Sequence, residues 1–250
     1  MSAPPGRVPR LHSRRERIEY VNVLKSANPA IVKRVPAAPA PAAAAASPGA
    51  EKRSRTNTRA RLLTAAYTEF CDRGFQATTV EHVCRRAGFT RGAFYSNFST
   101  TEELFLALWD QQADRIIDGA RALVELLAVV DDPLETTQSA LADLEHVEPR
   151  WFLLNTEFML HVARHPEVAA ELGRHRSRLR AELGAVLTTM LHAVHRRLPP
   201  DVDIDLFTRM VIAAHEGCQH QSRVAGHELA PGALQRAMLT LLVTACPQID

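Results

Sequence analysis

Cysteine, long apolar runs and alternating strand patterns are all scarce in this chain of 250 residues. The four cysteines, Cys71, Cys84, Cys218 and Cys246, form no C-x-x-C pair and no secreted-scaffold spacing. That argues against a disulfide-stapled domain and points to reduced thiols in a cytoplasmic protein. No apolar run approaches the roughly 18 residues of a membrane-spanning helix; the best candidate, Ala237 to Cys246, stops well short. The opening residues hold Arg and Pro without a Leu-rich core, so no secretory signal is expected. Sustained period-two alternation is missing throughout, which excludes a sheet protein. There is no nucleophile motif, phosphate loop or metal-ligand spacing, so the chain is not expected to be an enzyme or to carry a cofactor.

The histidine-rich stretch His215, Glu216, Cys218, His220 and His227 is the one place that invites a metal or an active site. His215 and Cys218 share a helical face but His220 points elsewhere, and no second ligand pair lies at a recognised separation. No metal is expected there.

What is present is helical periodicity and an uneven charge. The net charge of +2 is the sum of +10 over residues 1–61 and −8 over the remainder. A basic amino end on an acidic body fits an arm that meets a polyanion, although an anionic membrane surface would attract the same charge. Eight of the 15 prolines lie in the first 50 residues, and Val35 to Ala50 is almost wholly Ala and Pro. Such a composition cannot bury a core, so residues 1–54 read as a disordered basic tail.

From Thr56 onward the pattern is helical. Leu63, Ala66 and Phe70 repeat at three and four residues until Asp72, Arg73 and Gly74 end the helix. Thr78 with Glu81 predicts a capping box for the next helix, and Thr100 with Glu103 another for the helix through Leu104, Phe105, Leu108 and Trp109. Asp131 to Pro133, then Pro149, Pro166, Pro199, Pro200 and Pro231, punctuate helices expected near 134–147, 150–164, 167–197, 203–224 and 231–246. The expected fold is all-α, with about nine helices.

Thr78 to Phe98 reads as a helix-turn-helix. Val80, Val83, Cys84 and Ala87 fall on one face, Gly88 supplies a left-handed turn, and Thr90 caps a second short helix. Ala87, Gly88, Phe89, Phe94 and Phe98 meet the demand for small residues at the crossing and apolar anchors beneath the second helix. From periodicity alone an ordinary helical hairpin remains open. Tyr67 and Phe75 read as core.

The detailed residues go further. A-R-L-L-T-A-A-Y-T-E-F (60–70), R-G-F-Q-A-T-T-V (73–80), A-G-F-T-R-G-A-F-Y-S-N-F (87–98) and E-E-L-F (102–105) resemble the amino-terminal domain of the TetR family of transcriptional regulators. The resemblance is strong over about 50 residues; farther on it extends to helix count and the segment E-F-M-L-H-V-A-R-H-P. It implies a helix-turn-helix DNA-binding domain at 55–101 and a helical ligand-binding and dimerisation domain at 102–250. Thr79 and Thr90 would then face the DNA backbone, Arg91 and Gly92 would approach base edges in the major groove, and Tyr95, Ser96 and Asn97 would grip phosphates. Arginine can donate two bonds to guanine, whereas hydroxyl and amide groups position a helix without reading sequence. One position departs from the family: a lysine commonly follows the residue that opens the fourth helix, and Thr101 stands there. Arg53, Arg55 or Arg59 is expected to supply the missing charge.

A reader of this size covers few base pairs, so a homodimer on a double-stranded, palindromic operator is expected. Phe207, Met210, Val211, Ala214 and Cys218, with Leu234, Met238 and Leu241, form the apolar stripes that the resemblance assigns to the dimer interface; packing within one chain is the other reading. Trp151, Asn155, Phe158 and Met159 mix aromatic, apolar and polar groups in a way that suits either a pocket for a small, largely apolar effector or a solid core. Arg174, Arg176, Arg178 and Arg180 read as a solvated face. The resemblance implies a ligand-responsive regulator, most often a repressor.

Overall fold

The computed structural model describes residues 48–130, 132–134, 136–137, 149–224 and 232–249, except for the side chains of 48–55 and 224. Eight helices are described: α1 (Pro48–Arg73), α2 (Val80–Ala87), α3 (Arg91–Tyr95), α4 (Thr101–Leu127), α5 (Pro149–Arg164), α6 (Pro166–Ala193), α7 (Ile204–Val224) and α8 (Ala233–Thr244). No strand occurs among the described residues; a lone bridge pairs Arg196 with Gln248. The all-α expectation holds. The helix expected near 134–147 and the tail up to residue 47 fall largely or wholly outside the described residues. α1 begins at Pro48 rather than near Thr56, where proline suits the first helical turn and Ala50, Glu51, Lys52 and Arg53 are good helix formers.

The described residues gather into two compact units that do not follow chain order. One combines 48–113 with 149–176; the other combines the described part of 114–137 with 177–249. Phenylalanine explains why 149–176 joins the first unit. Phe70, Phe75, Phe94, Phe98, Phe105 and Phe158 are each at most 4% exposed, and burying one such side chain is worth about 1.5–3 kcal/mol. Phe158 stacks on Phe105 with ring centroids 3.8 Å apart and meets Phe75 edge-on at 4.9 Å. Leu154, Phe158 and His161, spaced four and three residues apart, are the side of α5 turned into this core.

The second unit is held by aliphatic residues. Leu179, Leu183, Val186, Leu187, Met190 and Leu191 bury one side of α6 and Val194 just beyond its end is buried too, while Phe207, Ala214 and Cys218 of α7 and Leu239 and Val243 of α8 are buried as well. Ala214 and Leu239 pack together, flanked by Val211 and Leu242.

Candidate nucleic-acid interface

Thr79, not Thr78, caps α2. Its backbone is extended (φ −107°, ψ 161°), its hydroxyl accepts from the His82 N–H at 3.3 Å, and His82 Nδ1 accepts from the Thr79 N–H at 3.3 Å. The capping box therefore sits one residue later than the Thr78–Glu81 spacing predicts. The buried Thr78 hydroxyl is engaged elsewhere, 2.8 Å from the Gly74 carbonyl and 3.2 Å from that of Glu69. The second predicted box forms in altered shape: Thr100 Oγ1 accepts from the Glu103 N–H at 3.1 Å, while the Glu103 carboxylate accepts from Ser99 N–H at 2.6 Å.

Gly88 ends α2 in the left-handed region (φ 71°, ψ 34°), and Phe89 N–H closes the turn on the Cys84 carbonyl at 3.0 Å. Thr90 then caps α3, its hydroxyl accepting from Ala93 N–H at 3.3 Å. Phe94 and Phe98 are buried, with centroids 6.0 Å apart, and hold the underside of this short helix. Thr90, Arg91, Gly92, Tyr95 and Ser96 are exposed above it, and Asn97 is half-buried. A helix of five residues has almost no stability of its own; its position is set by those two rings.

The exposed groups differ in what they have free. Ser96 Oγ donates to the Gly92 carbonyl at 2.8 Å, so its hydroxyl must turn outward before donating to anything else, whereas Asn97 Nδ2 commits only one of its two N–H groups to the Ala93 carbonyl at 2.8 Å. Arg91 Nη1 lies 2.9 Å from Glu81 Oε1, and its guanidinium carbon is 5.9 Å from the centre of the Tyr95 ring. The Tyr95 hydroxyl first, then the Glu81 charge, push the Arg91 pKa up, so it is charged throughout. Gly92 has no internal reason to lack a side chain: a Cβ there would meet only Thr90 Oγ1, at an ordinary 3.7 Å. An exposed helical glycine costs about 0.5–1 kcal/mol relative to alanine, a cost that suits close approach by an outside partner.

Several residues that support this surface carry no local signal in the sequence. Arg61 donates to the Ala87 carbonyl at the end of α2 (2.8 Å) and covers the Phe89 ring at 4.6 Å. Glu69, at 4% exposure, pairs with Arg86 at 2.5 Å and Arg73 at 2.7 Å. Burial pushes the Glu69 pKa up, yet hydrogen bonds from Arg86 and Arg73 outweigh it and hold the carboxyl below its ordinary value. Asp72 joins Arg86 to Arg150 of α5. Glu157, also on α5, accepts from the N–H groups of Phe75 (3.0 Å) and Gln76 (3.4 Å), tying α5 to the turn after α1. His161 Nε2 lies 3.3 Å from Glu102 at the start of α4.

Where the resemblance leads one to expect a lysine, Thr101 is half-buried and its hydroxyl donates to Glu102 at 3.2 Å. Arg59 is exposed with its guanidinium 4.4 Å over the Phe98 ring, so it brings a positive charge to the edge of the α3 anchor. Arg53 and Arg55 lie on α1 where side chains are outside the described residues.

In the segment Trp151 to Met159, Trp151 lies parallel to the Phe105 ring at 5.7 Å, Phe158 is fully buried and Met159 packs on the same core. Asn155 Oδ1 is buried without a hydrogen-bond partner. In the other unit an open groove of about 590 Å³ is lined by Arg121, Val124, Glu125, Ala181, Glu182, Ala185, Val186 and Thr189. Of the residues expected at a dimer interface, Phe207, Ala214 and Cys218 are buried within the chain, Val211 and Leu234 are half-buried, and Met210, Met238 and Leu241 are exposed at 39, 40 and 64%. Burial pushes the His215 pKa down. His220 Nδ1 lies 2.8 Å from the Glu216 carbonyl, and His227 lies outside the described residues. Among the described residues no three potential ligands gather at a metal site, and no helix is long and apolar enough to cross a membrane. Arg178 pairs with Asp114 and Glu182, and Arg180 with Asp205.

Comparison with known proteins agrees with this geometry. Residues 62–108 match the model of the bacterial regulatory proteins of the tetR family. The chain is 29% identical over 119 residues to the transcriptional activator FasR of Mycolicibacterium smegmatis, covering 47% of this chain and 53% of that protein. It is 33% identical over 81 residues to the transcriptional repressor AcnR of Corynebacterium glutamicum, covering 31% and 43%. It spans about half the length of the curated relatives it matches. A crystal structure of a TetR-family regulator from Mesorhizobium loti superposes with a TM-score of 0.58 at 16% identity, covering 76% of this chain and 95% of that one, a likeness of fold.

Proposed function

We propose, on the premise that this chain belongs to the TetR family of bacterial regulatory proteins, that it is a sequence-specific DNA-binding transcriptional regulator working on chromosomal DNA in the cytoplasm. The observation that carries the reading is the α2–α3 pair: a short helix fixed from below by Phe94 and Phe98 presents Arg91, Gly92 and Tyr95 together. Arg91 supplies donors for guanine O6 and N7, Gly92 lets the backbone approach, and Thr79, Thr90, Tyr95, Ser96 and Asn97 contact phosphates. Arg55 and Arg59 add charge from α1. Residues 55–101 act as the DNA-reading domain and 102–250 as the domain that dimerises and senses.

A single reader of this size specifies few base pairs, so the working form is a homodimer on a palindromic site. Support comes from exposed Met210, Met238 and Leu241 on α7 and α8, apolar side chains whose burial a second copy would complete. The regulator acts as a repressor, as the relative AcnR is named to do, and a small, largely apolar effector releases it. Two places suit the effector: the segment of Trp151, Asn155, Phe158 and Met159, where Asn155 Oδ1 is buried without a hydrogen-bond partner, and the groove lined by Val124, Ala181, Ala185 and Val186, with Arg121 and Glu182 at its polar side. The groove's volume falls within the range of small-molecule sites. An effector at either place acts by preferring the conformation that does not bind DNA.

Selection of bound duplexes from a random-sequence DNA library tests this reading. Enrichment of a two-fold symmetric sequence supports it; retention of DNA without sequence preference sinks it.

A further inference from the structure

We propose that Glu81 is a positioning residue that sets the base specificity of Arg91. This rests on the DNA-reading role of α3 proposed above. The shift of the α2 cap to Thr79 is what makes the arrangement possible. In a box opened by Thr78, the Glu81 carboxylate would fold back on the cap; with His82 taking that role, Glu81 is free to point along the exposed surface. It reaches Arg91 Nη1 at 2.9 Å, and the two side chains are 52% and 62% exposed.

An exposed pair of this kind contributes little to folding. Its consequence is conformational. Arg91 lies between the Glu81 carboxylate on one side and the Tyr95 ring on the other, 5.9 Å from its centre. Its own backbone N–H first, and the Arg91 charge, hold the Glu81 carboxyl below its ordinary value, so the carboxylate is ionised. Glu81 engages Nη1 while Tyr95 flanks the same guanidinium, so two groups of the protein bear on its orientation. An arginine bridging to guanine needs that planar fork in one orientation. Biasing it there before DNA arrives reduces the rotamer freedom that binding would otherwise have to suppress.

The same carboxylate is a negative charge beside a surface meant for phosphates, so it weakens attraction to DNA of any sequence. A group that lowers general affinity while orienting the reading side chain favours discrimination over tightness. Glu81 therefore also restrains Arg91 from swinging to a phosphate, where it would bind every duplex alike.

The test uses the full-length chain, its E81Q, E81A and R91A variants and the E81Q/R91A double variant, each checked for an unchanged melting profile. Each is presented in parallel with the same random-sequence duplex library, then titrated against the wild-type-enriched duplex and its single-base variants at several salt concentrations. The proposal expects E81Q to lose discrimination about fivefold or more at the base pair where R91A loses it, the low end of what a bidentate contact supplies. E81A should lose at least as much. Both should bind scrambled duplex more tightly than wild type, with a salt dependence steeper by about one ion. The double variant should discriminate no worse than R91A alone.

If E81Q keeps full discrimination while R91A loses it, Glu81 has no positioning role and the DNA-reading assignment stands. A changed preference at a different base pair, additive with R91A, makes Glu81 a base contact in its own right and overturns the positioning role. Binding of wild type without sequence preference removes the reading on which the proposal rests.

Discussion

Replacing Gly74 with alanine gives a quantitative test of how the turn after α1 is built. Gly74 has φ +85°, and a Cβ on it would stand 2.9 Å from both carboxylate oxygens of Glu157. Two separate costs follow. A left-handed backbone costs an L-residue roughly 1–2 kcal/mol. The added methyl also displaces Glu157, whose carboxylate accepts from Phe75 N–H at 3.0 Å and Gln76 N–H at 3.4 Å. A hydrogen bond to a charged group is worth about 1.5–3 kcal/mol, and partial exposure of this one lowers that to about 1 kcal/mol. G74A is therefore expected to lose about 2–3 kcal/mol in urea denaturation followed by circular dichroism. In an E157A background the steric conflict is gone, and the same substitution should cost only the backbone strain. The coupling between the two sites is then about 1 kcal/mol. An equal penalty in both backgrounds would show that Glu157 does not seat on this turn, and a neutral G74A would show that the turn is not left-handed.

Other substitutions address other links. Phe94→Ala removes a fully buried ring from beneath α3 and is expected to cost about 3–5 kcal/mol, abolishing specific DNA binding in the same protein by gel shift. Thr79→Ala should destabilise by about 1 kcal/mol and speed hydrogen exchange at the His82 amide; an effect confined to Thr78 variants would contradict the observed cap. The folded pKa of Glu69 lies below its ordinary 4.5, so its contribution is present above that value and is lost as pH falls through the folded value. The stability gap between wild type and Glu69→Gln should accordingly narrow on acidification below pH 4.5, and a gap that widens there would reverse the assignment.

Local chemistry was legible in the residues where it stays local. Gly88 as a left-handed stop, Thr90 as a cap, and Phe94 and Phe98 as anchors each follow from neighbours a few positions away. The cap of α2 falls one residue beyond the position its spacing predicts, because two threonines stand side by side. Only tertiary contacts, the carbonyls of Gly74 and Glu69, draw Thr78 inward and leave Thr79 at the helix boundary. The α5 partner of Asp72, Arg150, and that of the turn after Gly74, Glu157, lie 78 and 82 residues along the chain from the groups they meet. A single Arg150 or Glu157 on an amphipathic helix announces no partner at that distance. Crowding of aromatic groups from Trp151 to Phe158 was visible, but its destination was not: Phe105 and Phe75 draw the segment into the reader unit. The Glu81–Arg91 pair was hidden for the same reason as the cap, since Glu81 is freed only when His82 closes the box.

The most direct measurement of the central claim is a titration of wild type and Arg91→Ala against the enriched duplex and a scrambled duplex of equal length. Arg91→Ala is expected to lose preference for the enriched duplex while scrambled DNA is still bound, as the proposed base-reading role of that side chain requires. An Arg91→Ala protein that prefers the enriched duplex as strongly as wild type would contradict it.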